Sequence, residues 1–172
     1  FAQYKASKNS EVLDAKGKPI GTLTSNQNKI LLSSEQISPN VKNAVVAIED
    51  SRFYEHNGVD FQGIGRALVQ DILSLSASQG ASTITQQFIK NALAAQESRT
   101  VFQKFREAAL AYRLERRWSK DKVLTEYLNT IYFGEGAYGI EAAARTFFGA
   151  AHPGCGTDTQ PCAAVLEPWE AA

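Results

Sequence analysis

The sequence predicts a mainly α fold, because most of its apolar residues recur at the spacing of one helix face. The pattern i, i+3, i+4, i+7 first occurs at Val41, Ala44, Val45 and Ile48. Ser38 followed by Pro39 marks the start of this helix, since serine suits an N-cap and the first helical turn tolerates the missing N–H of proline. Residues 11–23 alternate in the manner of two strands around a turn, so we expect a short N-terminal β-hairpin.

The length and composition are those of a single globular domain. The chain has 172 residues, of which 44% are hydrophobic, and its 18 basic residues balance 18 acidic ones. A chain of this size can bury a core, and this composition fits neither a disordered nor a nucleic-acid-binding protein. Residues 1–26 are expected to form a linker with the hairpin, and residues 27–172 the main domain, truncated at its C-terminal end. No run of roughly 18 apolar residues occurs, so the sequence predicts no membrane-spanning helix.

Two further helices are predicted from their capping residues. Asp60 is placed to cap one of them, and Thr83 with Gln86 has capping-box spacing at the start of the other. Small and polar residues at 74–81 indicate a loop between them. The apolar positions of the first helix fit either a protein core or a membrane surface: Phe61, Ile64, Leu68, Val69, Ile72 and Leu73.

The second half of the chain is predicted to hold three more helices. The longest spans residues 99–117, and its apolar stripe consists of Phe102, Phe105, Ala109 and Tyr112. Ser119 is expected to cap the next helix, whose apolar residues are Val123, Leu124, Tyr127 and Leu128. The last helix spans residues 140–148 and is ended by Gly149.

Charge is densest in residues 49–60, which hold four carboxylates, one arginine and one of the two histidines of the chain. Glu49 and Asp50 follow directly on the first apolar stripe, at a helix end where the helix dipole disfavours acids. A core could not easily bury so much charge. Acids kept there at an energetic cost indicate a functional site.

A second candidate site is basic. Residues 90–122 hold nine Lys and Arg against four acids, a net charge of +5. Arg99, Gln103, Arg106 and Glu107 share one helix face, which is either a solvated, salt-bridged surface or an anion site. The turn at Ser82 and Thr83 opens a helix, where backbone N–H groups favour anions. Together with Lys90, these groups would suit a pyrophosphate.

Cys155 and Cys162 lie in a Gly-, Pro- and Thr-rich segment near the end of the chain. Two cysteines that close a short loop favour a disulfide and an oxidising compartment, with free thiols as the alternative. A zinc site is disfavoured, because His152 is the only other soft ligand nearby and four ligands are usual.

The order and spacing of these blocks resemble glycosyltransferase family 51, the peptidoglycan glycosyltransferase domain of class A penicillin-binding proteins. The first motif of that family matches Glu49, Asp50, Phe53, His56, Gly58 and Asp60. The second matches Gly80, Ser82, Thr83, Thr85, Gln86, Gln87, Lys90 and Asn91. The third matches at Lys104 and Glu107, with Gln103 in place of the usual arginine. Later matches are Tyr127, Leu128, Asn129, Gly134, Gly139, Ala143, Ala144, Phe147, Phe148 and Gly149.

The resemblance implies a lysozyme-like glycosyltransferase fold, with a large helical lobe and a smaller, membrane-associated lobe. It implies that residues 27–172 form a glycosyltransferase domain that polymerises lipid II into β-1,4 glycan with inversion and releases undecaprenyl pyrophosphate. Its partners would be lipid II, the growing glycan and the bacterial membrane surface, on the extracytoplasmic side. The parent chain would carry an N-terminal membrane anchor and a C-terminal transpeptidase domain.

The resemblance also implies residue roles. Glu49 would be the general base, and Glu107 a second catalytic residue that orients cations or holds a divalent cation, Mg²⁺ or Mn²⁺, on the pyrophosphate. No cofactor is otherwise expected. The implied substrate-binding residues are Asp50, Phe53, His56, Ser82, Thr83, Gln87, Lys90, Asn91, Arg99, Lys104 and Arg106. Considered from the residues alone, His56 favours a structural hydrogen bond and Phe53 favours packing.

Two other functions stay open. One is a glycan hydrolase or lytic transglycosylase of the lysozyme class, which shares a catalytic glutamate in a helical fold. The other is a non-catalytic fragment that binds the lipid substrate. The basic residues distinguish the first alternative, because a hydrolase has no pyrophosphate to bind.

Overall fold

The computed structural model describes residues 10–13, 16–17, 19–23, 30–66, 82–92 and 101–172. Several sequence predictions lie outside these residues. They are the loop at 74–81, Leu68, Val69, Ile72, Leu73, Gly80 and Arg99.

The described residues are mainly helical, which confirms the predicted fold class. The helices are α1 (Pro39–Glu49), α2 (described over 61–66), α3 (Ile84–Ala92), α4 (Val101–Glu115), α5 (Lys120–Leu128), α6 (Ile140–Phe148) and α7 (Pro168–Ala171). Short 3₁₀ turns occupy Ser34–Gln36 and Cys162–Ala164. Strands β1 (Ser10–Leu13) and β2 (Pro19–Leu23) pair antiparallel, with Ser10 opposite Leu23. Within the described part of the chain, no helix is both long and apolar enough to cross a bilayer.

The chain divides into two compact units. One comprises Phe1–Ala44 and Thr125–Ala172, and the other comprises Val45–Leu124.

The first unit contains a buried carboxylate at its centre. Glu141 in α6 is fully buried and accepts hydrogen bonds from the backbone N–H groups of Cys162 (3.1 Å) and Ala163 (2.9 Å). The Nε of Arg145, one turn along α6, donates to the same carboxylate at 2.7 Å. A disulfide joins Cys155 to Cys162. These contacts fix the segment after the disulfide loop against α6, so the buried charge is fully compensated.

The second unit is built on α3 and its neighbours. The buried residues of α3 are Ile84, Thr85, Phe88 and Ile89. Helix α4 packs against α3, and its buried residues are Ala111 and Leu114. Val123 and Leu124 of α5 are fully buried, as their spacing predicts.

Four predicted helix caps are confirmed, among them Ser119, whose hydroxyl accepts the N–H of Lys122 at 3.3 Å. The hydroxyl of Ser38 accepts the N–H of Asn40 at 3.2 Å, and the carboxylate of Asp60 accepts the N–H of Gly63 at 2.8 Å. Thr83 and Gln86 form a capping box, with bonds of 3.0 Å and 3.2 Å between each side chain and the other's backbone N–H. Helix caps can be predicted from the sequence because the donor and the acceptor of each bond lie within one helical turn of each other.

One predicted apolar stripe is correct only in part, because Val41 of α1 is buried and Ala44 and Val45 are half-buried, and another is wrong. In α1, Ile48 is 67% exposed and Val46 is buried instead. In α4, the whole predicted stripe is exposed: Phe102, Phe105, Ala109 and Tyr112. The inward face of α4 is formed instead by half-buried Gln103 and Glu107 and by buried Ala111, which recur at intervals of four residues along the helix. A helix buries the face that its neighbours cover, and an apolar pattern does not say whether protein or another apolar medium covers it.

Candidate active site

Glu49 is the last residue of α1, and its carboxylate is exposed. Its Oε2 atom accepts a hydrogen bond from the side-chain Nε2 of Gln87 at 2.8 Å. Gln87 lies on α3, which places the first turns of this helix beside the end of α1. The amide of Gln87 therefore restrains an exposed carboxylate.

Ser82 and Lys104 extend this contact into a row of polar groups. The Nε2 of Gln87 also lies 3.5 Å from the carbonyl oxygen of Ser82, at the limit of a hydrogen bond. The hydroxyl of Ser82 accepts a bond from the Nζ of Lys104 at 3.1 Å. We call Glu49, Gln87, Ser82 and Lys104 the acid–cation row. It joins an exposed acid to an exposed cation through the side-chain amide of Gln87 and through the carbonyl and hydroxyl groups of Ser82.

Asp50 follows Glu49 directly but points inward. Its buried carboxylate lies 3.0 Å from the Nε2 of His56 and accepts the backbone N–H of Ile84 at 3.1 Å. Ile84 is the first residue of α3, so the acid lies at the positive end of a helix dipole. The expected energetic cost of an acid at the end of α1 is therefore offset by His56, six positions away, and by the N–H of Ile84, 34 positions away.

The remaining charges of the first motif stabilise the loop. Arg52 forms an ion pair with Asp60, with one N–H···O bond of 3.0 Å. Burial alone would raise the pKa of Asp60, but hydrogen bonds from Arg52 and the N–H of Gly63 outweigh it, so the pKa lies below its usual value. Phe53 is fully buried, which agrees with packing.

The predicted site residues therefore fall into two groups. The exposed or half-buried group consists of Glu49, Ser82, Gln87, Lys90, Asn91, Lys104, Arg106 and Glu107. The buried group consists of Asp50, Phe53, His56 and Thr83. Lys90 and Asn91 follow Gln87 by three and four positions on α3, so they lie on its side of the helix. The contacts of the described residues bring four members of the first group together, namely Glu49, Gln87, Ser82 and Lys104.

A buried polar cluster behind the site was not predicted. The hydroxyl of Thr85 donates to Glu115, and the Nζ of Lys120 lies 2.6 Å from the same carboxylate. Lys120 also lies over the ring of Phe53, with its Nζ 4.3 Å from the ring centroid. The sequence gives no signal for this cluster, because its members come from three separate elements and two of them looked like ordinary surface charges.

No three His, Cys, Asp or Glu side chains lie together as potential metal ligands in the part of the chain that the structure describes. Glu107 is half-buried on α4.

Residues 16–161 match the protein family described as Transglycosylase. Because the match covers most of the chain, the chain belongs to the transglycosylase family, and its resemblance to glycosyltransferase family 51 is confirmed. Similar proteins include penicillin-binding protein 1F of Bacillus subtilis (strain 168), 42% identical over 139 residues. Penicillin-binding protein 1A of Aquifex aeolicus (strain VF5) is 46% identical over 140 residues. Each alignment covers 81% of this chain and 19% of the relative, so the chain spans about a fifth of the length of these relatives.

Proposed function

We propose that this chain is a peptidoglycan glycosyltransferase that polymerises lipid II into β-1,4 glycan chains with release of undecaprenyl pyrophosphate. Membership of the transglycosylase family supports a glycan-transfer reaction. The observation that carries the proposal is the acid–cation row, in which the Glu49 carboxylate is held by Gln87 beside Ser82 and Lys104. Glycosyl transfer from a pyrophosphate donor needs a base that takes the proton of the acceptor hydroxyl and a cation that stabilises the departing pyrophosphate.

Glu49 is the general base of the proposed reaction. It takes the proton from the 4-hydroxyl of the acceptor sugar as that oxygen attacks the anomeric carbon of the donor. The new C–O bond forms as the bond to the pyrophosphate breaks on the opposite face, so the anomeric centre inverts. The exposed carboxylate can reach a hydroxyl from solvent, and Gln87 limits the directions in which it points.

Basic residues stabilise the departing pyrophosphate in this proposal. Lys104 is already beside Ser82, while Lys90 and Arg106 are exposed on α3 and α4. Preorganised cations that meet developing charge are usually the largest electrostatic contribution to such a reaction. Arg99 is included from the family motif alone. Ser82, Gln87 and Asn91 are proposed to position the donor sugar and phosphates.

Glu107 is proposed to orient these cations. A divalent cation, Mg²⁺ or Mn²⁺, would be bound by the pyrophosphate of the substrate and would neutralise part of its charge. The described side chains form no metal cluster of their own, so no step of the mechanism is assigned to it.

The proposal includes a lysozyme-like arrangement of a large and a smaller lobe, with the smaller one at the outer surface of the bacterial membrane. The exposed apolar face of α4 supports a membrane contact, because an apolar helix face that is left uncovered marks an interaction surface: Phe102, Phe105 and Tyr112. The larger relatives support a parent chain that continues into a transpeptidase domain and is anchored in the membrane.

Incubation with lipid II tests the proposed function directly. We expect the chain to convert lipid II into polymer that muramidase digests, with release of one undecaprenyl pyrophosphate for each glycosidic bond formed. Purified glycan strands, supplied in a parallel reaction, should stay intact. Shortened strands would instead identify a hydrolase, and lipid II that is bound but unchanged would identify a non-catalytic binding fragment.

Replacement of Lys90 by alanine tests the basic part of the site. We expect Lys90→Ala to lower the polymerisation rate by about 10²–10³-fold, the usual cost of losing one contact to developing negative charge. Lys122→Ala is the matched control, because it removes the same charge from α5, where the Nζ lies over the Trp118 ring. Equal rates for Lys90→Ala and the unmodified chain would exclude Lys90 from the donor site.

A further inference from the structure

Asp50 and His56 form a buried pair whose contacts account for both side chains. The Nε2 atom of His56 lies 3.0 Å from each carboxylate oxygen of Asp50. The Nδ1 atom of His56 accepts the backbone N–H of Gly58 at 3.2 Å. Because Nδ1 is an acceptor, the ring proton lies on Nε2 and is donated to Asp50. Both ring nitrogens are therefore occupied within the protein, and neither is placed to contact a substrate.

The pair belongs to a closed ring of hydrogen bonds at the start of α3. Asp50 accepts the N–H of Ile84 at 3.1 Å, and the hydroxyl of Thr83, the preceding residue, donates to the carbonyl oxygen of Gly58 at 2.8 Å. Gly58 in turn donates its N–H to His56. The loop after α1 is thus tied to the first turn of α3 at two points. The positive end of the α3 dipole adds to the attraction for the Asp50 carboxylate.

This ring fixes two residues that matter for the proposed reaction. Glu49 precedes Asp50 in the chain, and the backbone N–H of Gln87 bonds to the carbonyl oxygen of Thr83 at 3.0 Å. Any shift of Asp50 relative to Ile84 therefore moves the Glu49 carboxylate relative to the Gln87 amide, which now lie 2.8 Å apart. A displacement of about 1 Å in a catalytic group can cost on the order of 10²-fold in rate.

We propose that Asp50 and His56 are positioning residues that hold the carboxylate of the general base Glu49 at hydrogen-bond distance from the Gln87 amide, and that they do not bind substrate themselves. We call this relative position of the two side chains the register of Glu49 and Gln87. This inference rests on the proposed function only for its catalytic consequence. The register of Glu49 and Gln87 is a property of the folded chain, so it can be measured without turnover.

The side-chain amide of Gln87 reports the register by NMR. Its ¹H–¹⁵N resonances, assigned by their loss in Gln87→Ala, should lie downfield while the amide donates to Glu49. We expect His56→Leu to move them to the position of a solvated amide and to lower kcat by about 10²-fold at nearly unchanged KM. His56→Gln, whose amide can still donate to Asp50, should restore part of the downfield shift of the Gln87 amide and part of kcat.

Thr83→Val provides a second variant in case the loss of His56 prevents folding. It removes the hydroxyl that donates to Gly58 and also caps α3 through the N–H of Gln86, and it leaves the buried pair in place. Ser119→Ala is the matched control, since Ser119 caps α5 with a bond of 3.3 Å to the N–H of Lys122 and has no contact with the acid–cation row. We expect both variants to lower the unfolding temperature, and only Thr83→Val to shift the Gln87 amide and reduce kcat.

Two outcomes would overturn the positioning role. One is an unchanged Gln87 amide in folded His56→Leu and Thr83→Val, and the other is a rise in KM without a fall in kcat, which would assign the pair to substrate binding. If the unmodified chain makes no polymer at all, the proposed function fails, and the amide resonance still decides the register.

Discussion

Glu49→Gln should lower the rate of lipid II polymerisation by a factor on the order of 10²–10⁴, the range that a general base contributes. Glutamine keeps an amide oxygen that can accept the Gln87 hydrogen bond, so the local geometry is preserved while the basic oxygen is lost. Binding of a non-reactive lipid II analogue should therefore change little. The comparison of initial polymerisation rates with analogue binding separates the chemical step from recognition.

Glu55→Gln is the matched control for this experiment. Glu55 is an exposed acid in the loop that follows α1, and its replacement changes the net charge of the chain by the same amount. Its polymerisation rate should stay within a few-fold of the unmodified chain. Turnover by Glu49→Gln at a rate near that of Glu55→Gln would end the assignment of Glu49 as the base.

Local features of the fold could be predicted from the sequence. The caps at Ser38, Asp60 and Thr83 depend on partners within one helical turn, and all three form as expected. The last predicted helix, α6, has the bounds that its apolar spacing and Gly149 indicate. These predictions are correct because the residues that determine each feature are neighbours in the chain.

Features that depend on distant residues could not be predicted. The resemblance placed Asp50 among the substrate-binding residues, but its partner Ile84 lies 34 positions away and becomes visible only in the fold. The stripe on α4 failed for the same reason, because periodicity identifies an apolar face without saying what covers it. The motif order placed Glu49, Ser82, Gln87 and Lys104 in one site, whereas the contacts among them required coordinates.

Gly58→Ala should strongly destabilise the second unit, because Gly58 is the glycine of the loop after α1 and lies against the backbone of α4. Gly58 has a φ of +85°, and a Cβ there would lie 2.6 Å from the carbonyl carbon and oxygen of Ala111 and 2.9 Å from the nitrogen of Tyr112. These are backbone atoms of α4, which cannot move aside as a flexible side chain could. The left-handed conformation costs about 1–2 kcal/mol for alanine, and overpacking adds about 1–3 kcal/mol.

Gly65→Ala tests whether backbone contact, and not the loss of a glycine, causes this effect. Gly65 lies in α2, where a Cβ would meet no described atom within 4 Å, and alanine favours a helix by up to about 1 kcal/mol. Thermal unfolding should therefore show a midpoint several degrees lower for Gly58→Ala and an unchanged or higher one for Gly65→Ala. Since Gly58 also bonds to His56 and Thr83, Gly58→Ala should disturb the Gln87 amide as well. An unchanged midpoint for Gly58→Ala would mean that α4 does not approach the loop as closely as described, and the ring of bonds behind Glu49 would lose its support.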